Sequence, residues 1–139
     1  MIDYELIKKA RNSANSFRNK IGVRVVDIKE KEAICEMEVN KSNENQIHSI
    51  AGGCLYSLAD STAGTVCASY GIKATTVSST FNYLSPGFNC TKLTAKAKEI
   101  KHGKKIAVIN VDVFDQSDRL LCNGVFTIMF LNEVLDYLK

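Results

Sequence analysis

One carboxylate, that of Asp60, stands alone in an otherwise uncharged stretch that extends from residue 51 to residue 70. On a helix, none of the neighbours one turn away from Asp60 would offer an opposite charge. An unpaired carboxylate is costly to bury, so such a group is usually kept for chemistry or neutralised by a specific partner. The chemistry open to it is to accept a proton from water. The alternative is an aspartate that reaches solvent or pairs with a basic residue from a strand.

The glycine pair Gly52-Gly53 begins the same stretch and is the second candidate for chemistry. At the start of a helix the backbone N–H groups carry partial positive charge. Glycine leaves them unobstructed, so that a developing oxyanion can bind there. Close packing of the backbone explains a glycine pair equally well. Asn45, in the polar segment before the glycines, can both donate and accept a hydrogen bond, although by its type alone it is also a turn residue.

The spacing of these residues limits how they can act together. Eight positions separate Gly52 from Asp60, so a straight helix holds them about 12 Å apart along its axis. This distance is too long for both residues to act on one carbonyl group. A second copy of the helix, antiparallel and related by a two-fold axis, would place Asp60 of one chain beside Gly52 of the other. The spacing therefore predicts a site shared between the subunits of a dimer.

The hydrophobic pattern predicts the elements that position these residues. Residues 51–70 predict a long helix of small and apolar side chains that ends at Gly71 and is buried on most sides. An amphipathic helix is predicted over residues 3–18 with Asp3 as its N-cap, and a short helical tail over residues 132–139. The other segments alternate in polarity between turns and predict roughly six antiparallel strands wrapped around the long helix. The fold class is α+β, in a single domain of 139 residues.

The composition is that of a globular chain and excludes several classes of protein. Hydrophobic residues make up 45% and charged residues 24%. The net charge is +3, with basic residues spread along the chain rather than clustered as in nucleic-acid-binding proteins. Five cysteines without a C-x-x-C pair, and only two histidines, argue against a disulfide framework or a zinc site, so no metal is expected. No apolar run approaches membrane length and no secretory signal is recognisable, so we expect a cytoplasmic protein without a membrane partner.

Three segments carry a family pattern that covers about residues 20–131. They are N-x-x-x-x-x-A-G-G-C-L-Y-S-L-A-D (45–60), TTVSSTFNYLSP (75–86) and GKKIAVINVDVFDQSDRLLCNGVFTIMF (103–130). Together they resemble the hotdog-fold acyl-CoA thioesterases of the phenylacetate-pathway type. The resemblance implies a hotdog fold, in which an antiparallel sheet wraps a central helix, and dimers that often pair into tetramers. It also implies hydrolysis of acyl-CoA thioesters without a metal or cofactor, since CoA is part of the substrate.

Matched position by position, the resemblance implies roles for individual residues. Asp60 corresponds to the acid that activates water or attacks the thioester carbonyl, and Gly52 to the glycine whose N–H polarises that carbonyl. Asn45 corresponds to the loop asparagine that orients the nucleophile or the substrate. Thr76 falls where the family often has serine or threonine near the water, and Gly53 is expected to contact the substrate beside Gly52.

The sequence departs from the family pattern where the central helix begins. The family usually has H-G-G there, and this chain has Ala51 in place of the histidine. The acid and the oxyanion donor remain, so hydrolysis is still the expected activity. His48 is a candidate substrate contact from the loop, the alternative being a solvated loop histidine. Lysines at a pocket rim would bind the phosphates of CoA, although lysine-rich turns are also common for solubility. The candidates in the turn KHGKK are Lys101, Lys104 and Lys105.

Other functions remain open from the residues alone. A hotdog dimer that lacks part of its site could bind or sense an acyl-CoA or another lipid thioester without cleaving it. A dehydratase would need a catalytic histidine with an acid, and neither His48 nor His102 lies in a predicted core position of a helix or strand. A purely structural dimer leaves Asp60 unexplained. Release of free thiol from acyl-CoA distinguishes an enzyme from a binding protein.

Overall fold

A computed structural model describes the whole chain, residues 1–139. The helices are α1 (Tyr4–Ser13), α2 (Phe17–Lys20) and α3 (Gly52–Ala68). The strands are β1 (Val23–Lys29), β2 (Glu32–Glu38), β3 (Ile72–Tyr83), β4 (Lys92–His102), β5 (Ile106–Phe114) and β6 (Leu120–Val134). Two 3-10 helices complete the order, Lys41–Asn43 and Asp136–Leu138. No helix combines the length and the hydrophobicity needed to cross a bilayer.

The six strands form one antiparallel sheet in the order β1-β2-β4-β5-β6-β3. Buried and more exposed side chains alternate along β2, β4 and β5, so that one face of the sheet is apolar. Helix α3 packs on this face and contacts every strand of the sheet. The predicted antiparallel sheet wrapped around a long helix is confirmed.

Small side chains on the inner face of the sheet allow α3 to lie close to it. Ala33 of β2 is paired with Ala97 of β4, and both are buried, as is Ala95. Leu58 and Ala59 of α3 are fully buried. Because alanine projects only a methyl group, the helix backbone can approach these strands closely.

The helix is open along one stripe. The residues of α3 that remain half-buried rather than buried include five around its middle turns. They are Tyr56, Ser57, Asp60, Ser61 and Gly64. Asp60 is therefore less enclosed than the uncharged composition of its helix indicates, because the small polar stripe that carries it lines a cleft. The helix ends at Ala68, two residues before the predicted end at residue 70, and the turn after it includes Gly71, whose φ of +74° glycine tolerates without strain.

The N-terminal helix predicted over residues 3–18 is two helices, and that prediction is wrong in its continuity. Asp3 caps α1 as predicted. The chain leaves the helical conformation at Ala14, with φ −69° and ψ 145°. Side chains around the break, those of Ser13 and Asn19, donate hydrogen bonds to backbone carbonyls of α1. Short polar side chains of this kind compete with helical hydrogen bonding and end the helix.

The helical tail predicted over residues 132–139 is also wrong for the most part. Strand β6 continues to Val134 because this residue pairs with Ile72 at the start of β3. Only Asp136–Leu138 form a short 3-10 helix. Lys73 of β3 forms ion pairs with two carboxylates of this segment, which hold it against the strand.

The five cysteines are free thiols, and their burial predicts which of them react. Cys35, Cys67 and Cys122 are buried, and burial raises the pKa of the Cys67 and Cys122 thiols to about 12. Only the thiolate attacks a disulfide reagent, so we expect just the partly exposed Cys54 and Cys90 to react with DTNB in the native protein at about pH 8. All five should react after denaturation. Rapid labelling of a third thiol in the native state would contradict this prediction.

Candidate active site

A cleft of about 710 Å³ runs along the open stripe of α3, between the N-terminal segment and the first half of β3. This volume lies in the range of small-molecule sites, roughly 300–1,000 Å³. Asp60 lines it from the middle of α3, and Thr76 lines it from β3. Apolar side chains form other parts of the wall, among them Phe17, Ile72 and Leu135. The cleft thus combines apolar and polar side chains with a single carboxylate.

Asp60 and Thr76 are joined by a hydrogen bond. Thr76 Oγ1 donates to Asp60 Oδ1 at 2.8 Å. The chain reverses at Gly71 between α3 and β3, and this reversal brings the first half of the strand beside the middle of the helix. The Asp60 carboxylate forms no ion pair and no other hydrogen bond within the chain. Its Oδ2 is therefore free to accept a hydrogen bond from a molecule in the cleft.

This arrangement can position and activate a water molecule. A carboxylate accepts hydrogen bonds only, so a water beside Oδ2 would donate one hydrogen to it. The hydroxyl of Thr76 fixes the orientation of the carboxylate through Oδ1. A carboxylate held in this way can act as a general base, taking a proton from the water as the water attacks a carbonyl group in the same cleft.

Gly52 and Gly53 lie at the start of α3, away from this cleft. The N-cap residue, Ala51, has no side chain that could cap the helix, and the N–H groups of both glycines make no hydrogen bond within the chain. Both N–H groups therefore remain available to an oxyanion. An added Cβ at Gly53 would meet no atom within 4 Å, so the space beside it is open.

Tyr83, near the end of β3, lies over Gly52. Its hydroxyl donates to the Gly52 carbonyl oxygen at 3.0 Å, and its ring would lie 3.3 Å from a Cβ added at Gly52. A glycine at this position therefore lets the tyrosine ring approach the backbone of the first helical turn. Partial burial of the hydroxyl raises the pKa of Tyr83 above its ordinary value.

Asn45 organises the loop that leads into α3. Its Oδ1 accepts hydrogen bonds from the N–H groups of Ile47 and Ser49, at 3.0 and 3.1 Å. Its Nδ2 donates to Ser49 Oγ at 2.8 Å. One hydrogen of the amide remains unused, and it is the only part of this side chain that could still bind a substrate.

His48 does not reach the cleft within one chain. The residue has a φ of +64°, and its side chain is 85% exposed with Nδ1 3.7 Å from Glu44 Oε1. The loop turns at this left-handed position and directs the imidazole to the surface. Within a single chain the geometry of His48 is that of a solvated loop histidine, and its role as a substrate contact stays a prediction.

Lys101 lies near the end of β4, Lys104 and Lys105 lie in the turn between β4 and β5, and none of the three lines the cleft. This turn is close to the C-terminal end of α3, because His102 packs on Tyr70 with 4.4 Å between the ring centroids. Within one chain the structure thus brings together Asp60 and Thr76 only. The remaining candidates stay apart from this pair: Asn45, His48, Gly52, Gly53, Lys101, Lys104 and Lys105.

Two cleft residues, Arg11 and Arg18, were not anticipated from the sequence. A signal exists in the spacing for Arg11, which follows the buried Ile7 by four positions and so lies on the stripe of α1 that faces the protein. Arginine on such a stripe indicates a polar surface or a ligand rather than a hydrophobic core. Arg18 lies in α2, beyond the break at Ala14, and no helical spacing connects it with Arg11.

No group of three or more His, Cys, Asp or Glu side chains is placed to hold a metal ion. The only carboxylate in the cleft is that of Asp60, and the only cations there are the two arginines and Lys73.

Known proteins share this sequence pattern and this fold. The family model described as the thioesterase superfamily matches residues 48–122. Acyl-coenzyme A thioesterase PaaI of Escherichia coli K12 is 31% identical over 71% of this chain and 71% of its own length. The structure of E. coli PaaI, from the phenylacetic acid degradation operon, superposes with a TM-score of 0.89 at 24% identity, covering 94% of this chain and 95% of that one. At 24% identity, the match to the E. coli PaaI structure shows a shared fold.

A further solved structure contains a ligand. It is a hypothetical thioesterase from Streptococcus pneumoniae TIGR4, crystallised with coenzyme A. It superposes with a TM-score of 0.77 at 26% identity, covering 82% of this chain and 89% of that chain.

Proposed function

This chain belongs to the thioesterase superfamily and is a thioester hydrolase with the hotdog fold, and we propose that it hydrolyses acyl-CoA thioesters to the free acid and CoA. The observation that carries this proposal is the Asp60 carboxylate, held by Thr76 in a cleft of suitable size for an acyl group. The ligand of the S. pneumoniae structure and the name of the E. coli relative support CoA as the thiol.

In the proposed reaction Asp60 acts on water. The free Oδ2 takes a proton from the water while the oxygen of the water forms a bond to the thioester carbonyl carbon. The carbonyl oxygen becomes an oxyanion, and when the C=O bond re-forms the C–S bond breaks. The proton held by Asp60 passes to the departing thiolate, so that the free acid and CoA leave and the carboxylate is restored. Each of these steps uses groups of the protein, water and the substrate.

The oxyanion in this scheme is stabilised by Gly52 of a second copy of the chain. The Gly52 N–H is unpaired and lies at the positive end of α3, which suits a developing negative charge. Since Gly52 and Asp60 lie about 12 Å apart along one helix, the donor must come from the other subunit. Two sites related by the two-fold axis would then each contain Asp60 from one chain and Gly52 from its partner.

The exposed edge of the sheet supports a homodimer. Strand β3 is an edge strand, and residues 75–78 are exposed along it. The side chain of Val77 is 56% exposed in this segment. Unpaired edges with apolar side chains are usually covered by another strand, and a second β3 would continue the sheet across a two-fold axis. Pairing of such dimers into tetramers is the corresponding proposal for the higher assembly.

Further contacts to the substrate come from the start of α3, the loop before it, and the lysines at the β4–β5 turn. The free amide hydrogen of Asn45 and the N–H of Gly53 would orient the acyl-CoA near the Gly52 donor. Lys101, Lys104 and Lys105 would bind the CoA phosphates only if the CoA of a substrate held by the partner subunit extends over the β4–β5 turn. Charge reversal of these lysines would then raise KM for CoA esters and leave small thioesters unaffected.

Release of free thiol from a panel of acyl-CoA esters tests the proposed function. We expect catalytic turnover, with thiol released in large excess over enzyme, because water activation by Asp60 regenerates the carboxylate in each cycle. The reaction is followed with DTNB after subtracting the signal of the protein's own thiols. Tight binding of acyl-CoA without thiol release would contradict hydrolysis and would identify a binding protein instead.

A further inference from the structure

Two arginines from the N-terminal segment form part of the cleft wall next to the Asp60 turn. Arg18 Nε donates to Ser61 Oγ at 2.6 Å, and Arg11 donates through a terminal nitrogen to the Ser61 carbonyl oxygen at 3.4 Å. Ser61 directly follows Asp60 in α3. Both guanidinium groups are therefore fixed at the level of the Asp60 turn.

Neither arginine has an anionic partner in the chain. No carboxylate lies within ion-pair distance of Arg11 or Arg18. Arg11 Nε and one terminal nitrogen of Arg18 are buried without any hydrogen-bond partner. Burial, and next the like charge of Arg11, lower the pKa of Arg18 to about 10. Two adjacent cations with buried, unsatisfied donors are unfavourable in the absence of a bound anion.

The two arginines differ in how far they are committed to the fold. Arg18 also donates to the Arg11 carbonyl oxygen at 2.6 Å, so it joins α1 to α3 and has a structural role. The Arg11 guanidinium makes one long hydrogen bond, the 3.4 Å contact to Ser61, and it lies near the Tyr137 hydroxyl, which is itself buried without a hydrogen-bond partner. The Arg11 guanidinium lies beside Gly64, where a Cβ would be in ordinary van der Waals contact, 3.8 Å, with a terminal nitrogen. Arg11 is therefore the arginine that is free to bind a ligand.

The position of Arg11 indicates which part of a substrate it would meet. Gly64 lies one turn beyond Asp60, about 6 Å along the helix axis. The distance from a thioester carbonyl attacked by water at Asp60 to the Arg11 guanidinium would thus equal the length of a short carbon chain. The phosphates of CoA are separated from the thioester by the whole pantetheine arm and are too far away. An anion on the acyl group itself fits the distance.

We infer that the Arg11–Arg18 pair binds a carboxylate at the far end of the acyl group, so that the preferred substrates are CoA monothioesters of short dicarboxylic acids. This inference rests on the proposed function and specifies its substrate class. Guanidinium binds carboxylate in a bidentate geometry, and the half-buried position strengthens this interaction. The apolar side chains of Phe17, Ile72 and Leu135 in the same cleft would contact the intervening methylene groups.

The test compares two substrates of equal chain length, adipyl-CoA and hexanoyl-CoA. We expect the wild-type protein to show a higher kcat/KM for adipyl-CoA. Arg11→Gln should lower that value by about 10- to 100-fold, the usual effect of losing a hydrogen bond to a charged group, and leave hexanoyl-CoA unchanged. Arg11→Lys should retain part of the preference because it keeps the charge. Arg24→Gln, at an exposed arginine of β1, is the matched control and should change neither substrate.

Other outcomes would overturn the inference. Equal hydrolysis of both substrates by the wild type would show that no carboxylate is recognised. An equal loss for both CoA esters in Arg11→Gln, absent with N-acetylcysteamine thioesters, would assign Arg11 to a CoA phosphate. An equal loss accompanied by a lower Tm or a changed oligomeric state would assign it to the fold or the subunit contact.

A binding measurement separates this inference from the proposed hydrolysis. Non-hydrolysable thioether analogues of adipyl-CoA and hexanoyl-CoA are titrated into wild type and Arg11→Gln. Tighter binding of the carboxylate-bearing analogue that depends on Arg11 would support the anion site even if no ester were hydrolysed. Equal binding of the two analogues by an active enzyme would leave the proposed function standing and contradict the carboxylate site.

Discussion

Replacing Asp60 by asparagine is expected to lower kcat for acyl-CoA hydrolysis by about 10²- to 10⁴-fold, the typical effect of losing a positioned general base. The amide has the same shape, and its oxygen can still accept the hydrogen bond that Thr76 Oγ1 donates at 2.8 Å. It cannot take a proton from water at neutral pH. Steady-state thiol release by the wild type and by Asp60→Asn measures the effect.

Asp60→Asn should lose activity without a comparable loss of stability or of substrate binding. Asp60 is half-buried and forms no ion pair, so the neutral amide should leave Tm unchanged or slightly higher. The affinity for a thioether analogue should change far less than kcat, because the acyl group and CoA supply the binding energy. A variant that melts early and still hydrolyses acyl-CoA would show that Asp60 serves the fold rather than the reaction.

Asp27→Asn is the matched control for this experiment. Asp27 is exposed on β1, next to an irregularity in its pairing with β2, and forms no ion pair or side-chain hydrogen bond. The substitution makes the same change in charge and size far from the cleft. We expect full activity and an unchanged Tm, so that a loss confined to Asp60→Asn reports on the site and not on net charge.

The sheet and the long helix could be predicted because their patterns arise from local burial. Inward and outward residues alternate in β2, where Ala33, Cys35 and Met37 are buried, and the same period recurs in β4 and β5. Side chains of opposite polarity must face opposite sides of a strand, so the alternation is visible in the sequence. The helix from Gly52 to Ala68 was equally visible, because its small uncharged residues fit only against a sheet.

The N-terminal segment could not be predicted because distant contacts decide its conformation. Residues 3–18 have the periodicity of one helix, yet Asn12 forms two hydrogen bonds with the backbone of Val25, at 2.9 and 2.8 Å. Arg18 is bound to Ser61, far away in the sequence. Such contacts fix where the helix breaks and carry the arginines into the cleft. The spacing within α1 turns Arg11 towards the protein, but no local pattern contains the position of the break or the placement of Arg18.

The candidate site was predictable in part. Asp60 was conspicuous as the single charge of its helix, and the resemblance to a family supplied Thr76. The structure adds the hydrogen bond between them. The loop was harder, because the left-handed backbone at His48 turns that side chain to the surface, and histidine gives no signal for such a conformation. The candidate oxyanion donor at Gly52 is a backbone N–H, so its role has to be tested by a substitution that changes the backbone.

Replacing Gly52 by proline is expected to lower kcat by about 10²- to 10³-fold, the usual effect of removing one oxyanion donor. Gly52 is the first residue of α3, a position that proline accepts because its fixed φ suits the helix and no helical hydrogen bond is lost. Ala51 is already extended, with φ −60° and ψ 136°, as the residue before a proline must be. The substitution therefore removes the N–H with little strain. Thiol release and Tm are measured on the same preparation.

Gly52→Ala is the control that separates the N–H from the side chain. It introduces the same Cβ, which would come 3.3 Å from the Tyr83 ring, but it keeps the N–H. Tyr83 is 54% exposed and can move aside. We expect Gly52→Ala to retain most of the wild-type kcat. Equal losses in the alanine and proline variants would assign the effect to the displaced tyrosine and contradict a role for the N–H as donor.

Mixed dimers of Asp60→Asn and Gly52→Pro test whether each site takes one residue from each subunit. In a heterodimer of the two variants, a shared arrangement puts both changes in one site and leaves the other site intact. Random association makes about half of the dimers mixed, so the mixture should regain about a quarter of the wild-type activity. If Asp60 and Gly52 acted within a single chain, every site would carry one defect and the mixture would stay inactive. Co-expression with two affinity tags isolates the heterodimer, and its activity decides between the two arrangements because neither parent variant can supply an intact site.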